Sequence, residues 1–236
     1  MASQLDRLNQ RIASCRLCDR LLAHCRLAAQ HKRAAYRHET YHGGPIGNFG
    51  DPQARLLIVG LAPGAHGANR TGRMFTGDRS GQLLYRVLHE AGFANQAESM
   101  SRQDGLVLQG AMISGAVHCA PPANKPTAAE IAHCRPYLDQ TFQMLEQLQV
   151  VTVLGRLACT EVLRYYRRRG WIDKLAACPF AHGAVHEVAD APLLVCSYHP
   201  SQQNTFTGRL THRMLLAVFH RARAHIDRAA ARVQRA

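Results

Sequence analysis

The chain has 236 residues, 47% of them hydrophobic, and carries 29 lysines and arginines against 16 acids. This length supports one α/β domain with a full core, and no apolar run approaches the roughly 18 residues that span a bilayer. The polar N-terminus has no signal-peptide core, so we expect a cytoplasmic protein without a membrane partner. The net charge of +13 favours nucleic acid as a partner, although part of it forms a basic C-terminal segment from about residue 222.

Cysteines interrupt the helical pattern of the N-terminal segment, Leu5 to Ala35. Cys15 and Cys18 are spaced so that both sulfurs can face one centre, but a lone pair of this kind is weak evidence for a metal. Cys119 follows a predicted strand and Cys134 lies in the next predicted helix, which completes a set of four. Four thiolates suit a zinc ion or an iron–sulfur cluster, and spacing alone does not decide between them. Zinc would be the preferred choice because structural zinc sites are the more common. The alternative is that the four cysteines are unrelated buried thiols that bind no metal.

The stretch Gly60 to Gly81 organises the chain, and it directly follows the apolar run Leu56–Val59. Such a run predicts a buried parallel strand, and open α/β sheets bind their ligands beyond the carboxyl ends of such strands. The glycines allow the backbone to approach a ligand closely, and Arg70 and Arg73 suit phosphate. A helix predicted from Gln82 would point its N-terminal amides at the same loop, which favours an anion there.

Further strands are predicted within Gly105–Val117, at Val150–Leu154 and at Leu193–Ser197, with helices between them, so the pattern predicts an α/β fold. A capping box at Thr127 predicts a helix from about residue 128 towards Gln149, and another helix is predicted over 156–169. A rigid proline-rich loop that contains Asn124 follows the second strand, and His199 follows the last one. We therefore expect both residues at the sheet edge that carries the glycine-rich loop.

Three ordered motifs, Gly60 to Asp78, Cys119 to Pro126 and His199 to Asn204, resemble those of family 5 (UDGb-type) uracil-DNA glycosylases. The resemblance spans Cys15 to about Leu215. It implies a three-layer α/β/α fold around a short parallel central sheet. It also implies a structural [4Fe-4S] cluster, which reverses the preference for zinc. The implied ligands are Cys15, Cys18, Cys119 and Cys134.

The resemblance also implies an activity: hydrolysis of the N-glycosidic bond of uracil, and of other deaminated bases, in DNA. His199 would donate a hydrogen bond to the leaving base. Many relatives carry an acid or amide where this chain has Ala62, so we assign the water-handling role to Asp78, with Asn124 as a second orienting group. Ala62 would also leave a roomier pocket. The implied base pocket consists of Gly60, Leu61, Ala62, Pro63, Gly64 and Phe75, with Phe75 stacking on the base.

Contacts with the DNA backbone are expected from Arg70, Arg73, Ser201 and Gln202, and Phe206 or Leu210 is expected to enter the vacated base stack. We expect a monomer. The alternative hypothesis is a non-catalytic nucleic-acid-binding protein with a structural metal or iron–sulfur centre, which the charge and the cysteines alone would also fit.

Overall fold

The structure is a computed structural model that describes residues 3–233, with side chains described to residue 231. The end of the predicted basic segment, 234–236, lies outside the described residues. The α-helices are α1 (Gln4–Ala13), α2 (Asp19–Gln30), α3 (Ala68–Thr71), α4 (Arg79–Glu90), α5 (Ala128–Met144), α6 (Arg156–Arg168), α7 (Gln202–Phe206) and α8 (His212–Val233). The strands are β1 (Phe49–Gly50), β2 (Leu56–Gly60), β3 (Ala111–Gly115), β4 (Val150–Leu154), β5 (Val185–His186) and β6 (Leu193–Ser197).

The strands form one sheet in the order β1-β3-β2-β4-β6-β5. The inner strands β3, β2, β4 and β6 are parallel to one another, as their unbroken apolar runs predict. The two edge strands, β1 and β5, are antiparallel to their neighbours. The sheet is therefore mixed at its edges and parallel at its centre, where the predicted site lies.

Alternate residues of the sheet enter two separate cores. Leu56 and Ile58 face the layer that contains α4 and α8, whereas Leu57 and Val59 face the layer that contains α5 and α6. Burial of both faces explains why the strands are continuously hydrophobic instead of alternating. The prediction of a three-layer α/β/α fold is confirmed.

Several predicted boundaries of helices and strands differ from those in the structure. Helix α4 begins at Arg79 and not at Gln82, because Asp78 caps it through a hydrogen bond from the Gly81 amide. Strand β3 occupies only Ala111–Gly115 of the apolar stretch 105–117. Helix α5 begins at residue 128 as predicted, behind a complete capping box, but ends at Met144. The assignment of the chain to one domain stays a prediction.

Three chain segments leave the carboxyl ends of the inner strands and meet at one edge of the sheet. They follow β2, β3 and β6, the strands that precede the three sequence motifs. Helix α2 is tied to the first segment, since the Asn69 amide donates hydrogen bonds to the Cys25 and Ala65 carbonyls. Among the described residues, no helix is long and apolar enough to cross a membrane.

Candidate active site

A cleft with a volume of about 1060 Å³ opens at this edge. Asp78, Asn124 and His199, which follow three different strands, all border it. The predicted residues that border it as well are Leu61, Ala62, Pro63, Gly64, Phe75, Ser201 and Gln202. The sequence motifs therefore converge in space on one site.

The two carboxylate oxygens of Asp78 make different contacts: one caps helix α4, and the other lies against glycines of the same loop. Its Oδ1 accepts a hydrogen bond of 2.9 Å from the Gly81 amide and so caps α4. Its Oδ2 packs on the backbone of Gly64 and Gly67, and a Cβ at Gly67 would overlap it. Burial raises the pKa of Asp78, although backbone hydrogen bonds oppose that shift. A carboxylate with a raised pKa is suited to accept a proton near neutral pH.

Phe75 forms a wall of the cleft in a strained conformation. Its φ of 54° lies in the left-handed region, which is unusual for a bulky residue and is maintained only by strong surrounding contacts. The ring lies on Gly60, where a Cβ would come within 2.8 Å of the Phe75 Cζ. Gly60 itself does not border the cleft, so its predicted place in the pocket lining was wrong: it lies beneath Phe75 and makes room for the ring.

His199 presents a neutral imidazole to the cleft. Burial lowers its pKa to about 4, so the ring is uncharged at neutral pH. Its centroid lies 5.8 Å from that of the Phe75 ring. The backbone is held in place by the Asn204 side chain, which donates a 2.8 Å hydrogen bond to the His199 carbonyl. Neither ring nitrogen has a hydrogen-bond partner among the described residues, so both are available to a ligand.

Asn124 is exposed at the cleft in a turn that the proline-rich loop imposes. Ala123 and Asn124 have φ values of 52° and 55°, and asparagine tolerates this left-handed region better than most residues. The Asn124 backbone amide donates to the Pro121 carbonyl at 3.1 Å, while its side-chain amide has no partner among residues 3–231. The turn thus directs an unpaired amide group to the cleft.

Arg70 and Arg73 do not have the predicted phosphate-binding geometry. Arg73 is 3% exposed and makes a bidentate pair with Asp104, with further hydrogen bonds to Ser99 and Thr76. Burial opposes ionisation of Asp104, but the bonds from Arg73 and from backbone amides outweigh it and hold the pKa of Asp104 well below its usual value. The prediction for Arg73 was therefore wrong: its guanidinium fastens the glycine-rich loop to the Asp104 loop.

Arg70 has a similar structural role. Its guanidinium pairs with Glu39, donates hydrogen bonds to the His66 and Gly77 carbonyls, and lies 3.8 Å from the centre of the Tyr36 ring. The side chain is 7% exposed and does not border the cleft. The predicted phosphate contact was wrong here too, because both arginines satisfy their donors inside the protein.

The segment after His199 exposes an aromatic side chain at the side of the cleft. Phe206 is 70% exposed, and the Arg79 guanidinium, which borders the cleft, lies 5.2 Å from the Phe206 ring centre. Ser201 caps the short helix α7 by accepting from the Asn204 amide. Leu210 is 1% exposed in the core, so its suggested role as the inserted side chain was wrong.

The four predicted metal-binding cysteines meet at a second cavity. Cys15, Cys18, Cys119 and Cys134 all border one small cavity of about 10 Å³, together with apolar side chains of α1 and α2. Cys25 is buried nearby, where its sulfur accepts from the Ala120 amide at 3.2 Å, and it does not border the cavity. These four thiols therefore share one cavity, while Cys25 lies outside it and interacts with Cys119.

The donor set around this cavity consists of four thiols, the ligand set that either a zinc ion or an iron–sulfur cluster uses. No set of three or more His, Cys, Asp or Glu side chains within residues 3–231 is arranged to hold one metal ion. Burial raises the pKa of Cys134 to about 12, so a bound cation would be needed to stabilise its thiolate. His118, which borders the cavity, has a buried Nε2 atom without a hydrogen-bond partner, a feature that calls for an additional group.

Comparison with known proteins places these features in a family. The family model of the uracil DNA glycosylase superfamily matches residues 48–223. The chain belongs to this superfamily. A type-5 uracil-DNA glycosylase from Thermus thermophilus is 45% identical over 214 residues, which cover 91% of this chain and 94% of the relative. Type-5 enzymes from Mycobacterium leprae and Pyrobaculum aerophilum are 44% and 40% identical, over 94% and 93% of this chain and 96% and 92% of their own.

Several cleft residues of this superfamily member were not predicted from its sequence. Arg79 lies within the glycine-rich stretch and could have been found there, because an arginine at the first turn after the loop faces the same sheet edge. His24, Arg33 and Tyr36 gave no comparable signal, since they come from α2 and the turn after it. His66 borders the cleft as well, with its Nδ1 3.1 Å from the Tyr41 hydroxyl.

Proposed function

We propose that this protein is a uracil-DNA glycosylase that hydrolyses the N-glycosidic bond of uracil in DNA and leaves an abasic site for base excision repair. The observation that carries the proposal is the convergence of Asp78, Asn124 and His199 on one cleft in a chain of this superfamily. The direct test is excision of uracil from a labelled oligonucleotide, with the thymine-containing oligonucleotide as the control. A protein that binds both DNAs and cleaves neither bond would support the non-catalytic alternative.

The chemistry assigned to these residues follows from charge. As the bond between C1′ and the base nitrogen breaks, its electron pair leaves with the base and positive charge develops on the sugar. The neutral His199 ring donates a hydrogen bond to the base oxygen that becomes negative, and the Asp78 carboxylate stabilises the sugar. Water adds to C1′, Asp78 accepts its proton, and the base anion is protonated after departure. Asn124 orients the water through its unpaired amide.

The proposed substrate range includes other deaminated bases. Ala62 contributes only a methyl group to the border of the cleft. The pocket therefore has more room for a larger base than it would have with an acid or amide side chain at this position. Phe75, half-buried beside His199, would provide the stacking surface for the extruded base. Oligonucleotides that contain hypoxanthine or xanthine test this range, and excision of uracil alone would limit the proposal to one base.

Replacement of Asn124 by glycine is expected to lower the single-turnover excision rate roughly 10- to 100-fold, because a misplaced water costs about this much. Glycine adopts the φ of 55° without strain, so it removes the amide and keeps the turn. Alanine at position 124 also removes the side-chain amide, and in addition it is strained at this positive φ. A full rate in the glycine variant, with loss only in the alanine variant, would assign the effect to backbone conformation and contradict the water-positioning role.

We propose that the cavity bordered by Cys15, Cys18, Cys119 and Cys134 holds a [4Fe-4S] cluster. When bound, the cluster would supply four metal–thiolate bonds and no electron-transfer step, because hydrolysis needs none. The four thiols connect the segment between α1 and α2 with the region of β3 and α5. Their role is therefore to fasten the N-terminal helices to the sheet.

Purified protein is expected to contain four iron atoms per chain and to lose most of them when Cys134 is replaced by serine. The matched control is Cys178→Ser, which changes a buried thiol in the core beneath α6, away from the cavity. Iron and zinc analysis of the three proteins reads out the result. One zinc ion per chain in place of iron, or equal iron in all three, would refute the assignment.

DNA contacts from Ser201 and Gln202, and insertion of Phe206 into the base stack, remain part of the proposal. The exposure of Phe206 beside Arg79 supports it, since an inserted side chain must be accessible. The monomeric state and the cytoplasmic location are likewise retained as proposals from the sequence.

A further inference from the structure

The cleft is much larger than one base requires, and one side of it is formed by residues that have no role in the proposed chemistry. His24 comes from α2, Arg33 and Tyr36 from the turn after it, and His66 from the glycine-rich loop. We call these four residues the N-terminal wall. The cleft has a volume of about 1060 Å³. This is at the upper end of the roughly 300–1000 Å³ of a typical small-ligand pocket, so the cleft has room for more than the target base.

The N-terminal wall carries positive charge without a matching acid. Arg33 is exposed and has no carboxylate partner among the described residues. Burial lowers the pKa of His66, and the nearby Arg33 and Arg70 lower it further, which places the Arg33 guanidinium close to His66. Glu39 pairs with Arg70 and offsets the charge of Arg70 only. The uncompensated guanidinium of Arg33, beside the hydrogen-bonding side chains of His24 and His66, favours an anionic ligand.

The wall is also fixed in place. Tyr36 lies under the Arg70 guanidinium at 3.8 Å, and Arg70 is bonded in turn to the loop that carries His66. The segment after α2 is therefore tied to the glycine-rich loop, so Arg33 is presented from a constrained position. A contact from such a position costs less ordering entropy than one from a free surface arginine.

We propose that the N-terminal wall binds the phosphate backbone of the DNA strand on one side of the target nucleotide, with Arg33 as its main phosphate contact. Arg79 borders the cleft beside Phe206 of α7, and these two residues would serve the other side of the strand. This inference rests on the proposed function and names the residues by which the strand is held. It assigns Arg33 to binding and not to bond cleavage.

Arg33→Ala is expected to weaken DNA binding about 3- to 10-fold at moderate salt and to reduce the slope of log Kd against log salt by about 0.7–0.9, the value for one phosphate. Lys32→Ala is the matched control, because it removes the same charge from the adjacent exposed position outside the cleft. Binding is measured by fluorescence anisotropy in the Asp78→Asn background, so that no cleavage interferes. This binding comparison does not depend on excision, so it can be interpreted even if the glycosylase assay shows no activity.

Shortening the oligonucleotide from each end gives the second readout. Arg33→Ala should abolish the affinity loss caused by trimming one side of the uracil and leave the loss on the other side unchanged. Equal affinity and salt slope in Arg33→Ala and Lys32→Ala would overturn the proposal. So would an Arg33→Ala variant that still loses affinity when the oligonucleotide is trimmed on either side of the uracil.

Discussion

The Asp78→Asn variant is expected to excise uracil roughly 10²–10⁴ times more slowly than the unchanged protein under single-turnover conditions. Asparagine preserves the shape of the side chain and can still accept the Gly81 amide hydrogen bond that caps α4. It cannot accept a proton from water or carry the negative charge that stabilises the sugar. DNA affinity should be equal or higher, because a negative charge leaves the cleft.

The pH dependence provides an independent test of this role. Burial raises the pKa of Asp78, so the rate of the unchanged protein should rise with pH through that pKa and level off above it. This limb should be absent from the residual activity of Asp78→Asn. Glu90→Gln, at the exposed far end of the same helix, is the control and should behave like the parent. An undiminished rate in Asp78→Asn would remove the residue from the mechanism.

Replacement of His199 by phenylalanine is expected to lower the excision rate about 10²–10³-fold, the usual effect of losing one donor to a developing anion. Phenylalanine keeps a flat ring beside Phe75, so stacking at the cleft is largely retained. Because burial holds the pKa of His199 at about 4, the ring is already neutral at pH 6, and its titration should not shape the rate profile between pH 6 and pH 9.

His220→Phe, an exposed substitution on α8, is the control for this experiment and should have no effect on rate. The two proteins are compared by single-turnover kinetics at saturating DNA across that pH range. A rate in the parent protein that falls as pH rises through about 6.5, with no such fall in His199→Phe, would mean that His199 acts as an imidazolium. That outcome would contradict the neutral-donor role.

The fold was largely predictable because its inner strands are buried on both faces. Leu56–Val59, Val150–Leu154 and Leu193–Ser197 are unbroken apolar runs, and each forms a strand in the parallel centre of the sheet. The edge strands β1 and β5 contain two residues each, which is too short for any periodicity to be recognised. The start of α4 was missed because the cap at Asp78 was interpreted only as a candidate acid.

The position of a residue at the cleft was predictable where its loop follows one of the parallel strands. Asn124 and His199 were expected at this edge because parallel strands end there, whereas Asp78 was chosen as the only acid of the glycine-rich loop, on the family resemblance. The roles of Arg70 and Arg73 were not predictable, because their partners Glu39 and Asp104 each lie 31 positions away in the chain. An arginine in a glycine-rich loop suggests a contact with a ligand. The sequence does not show that its guanidinium is already paired with an acid that is distant in the chain.

The half-buried carboxylate of Asp78 has a consequence for engineering. A raised pKa in the folded state means that ionisation of Asp78 opposes folding, so stability decreases as pH rises through that pKa. Asparagine at this position would keep the helix cap and avoid that cost. A selection for heat resistance at neutral pH would therefore favour Asp78→Asn, which under the role proposed for Asp78 removes the activity, so stabilising libraries of this protein should hold residue 78 constant.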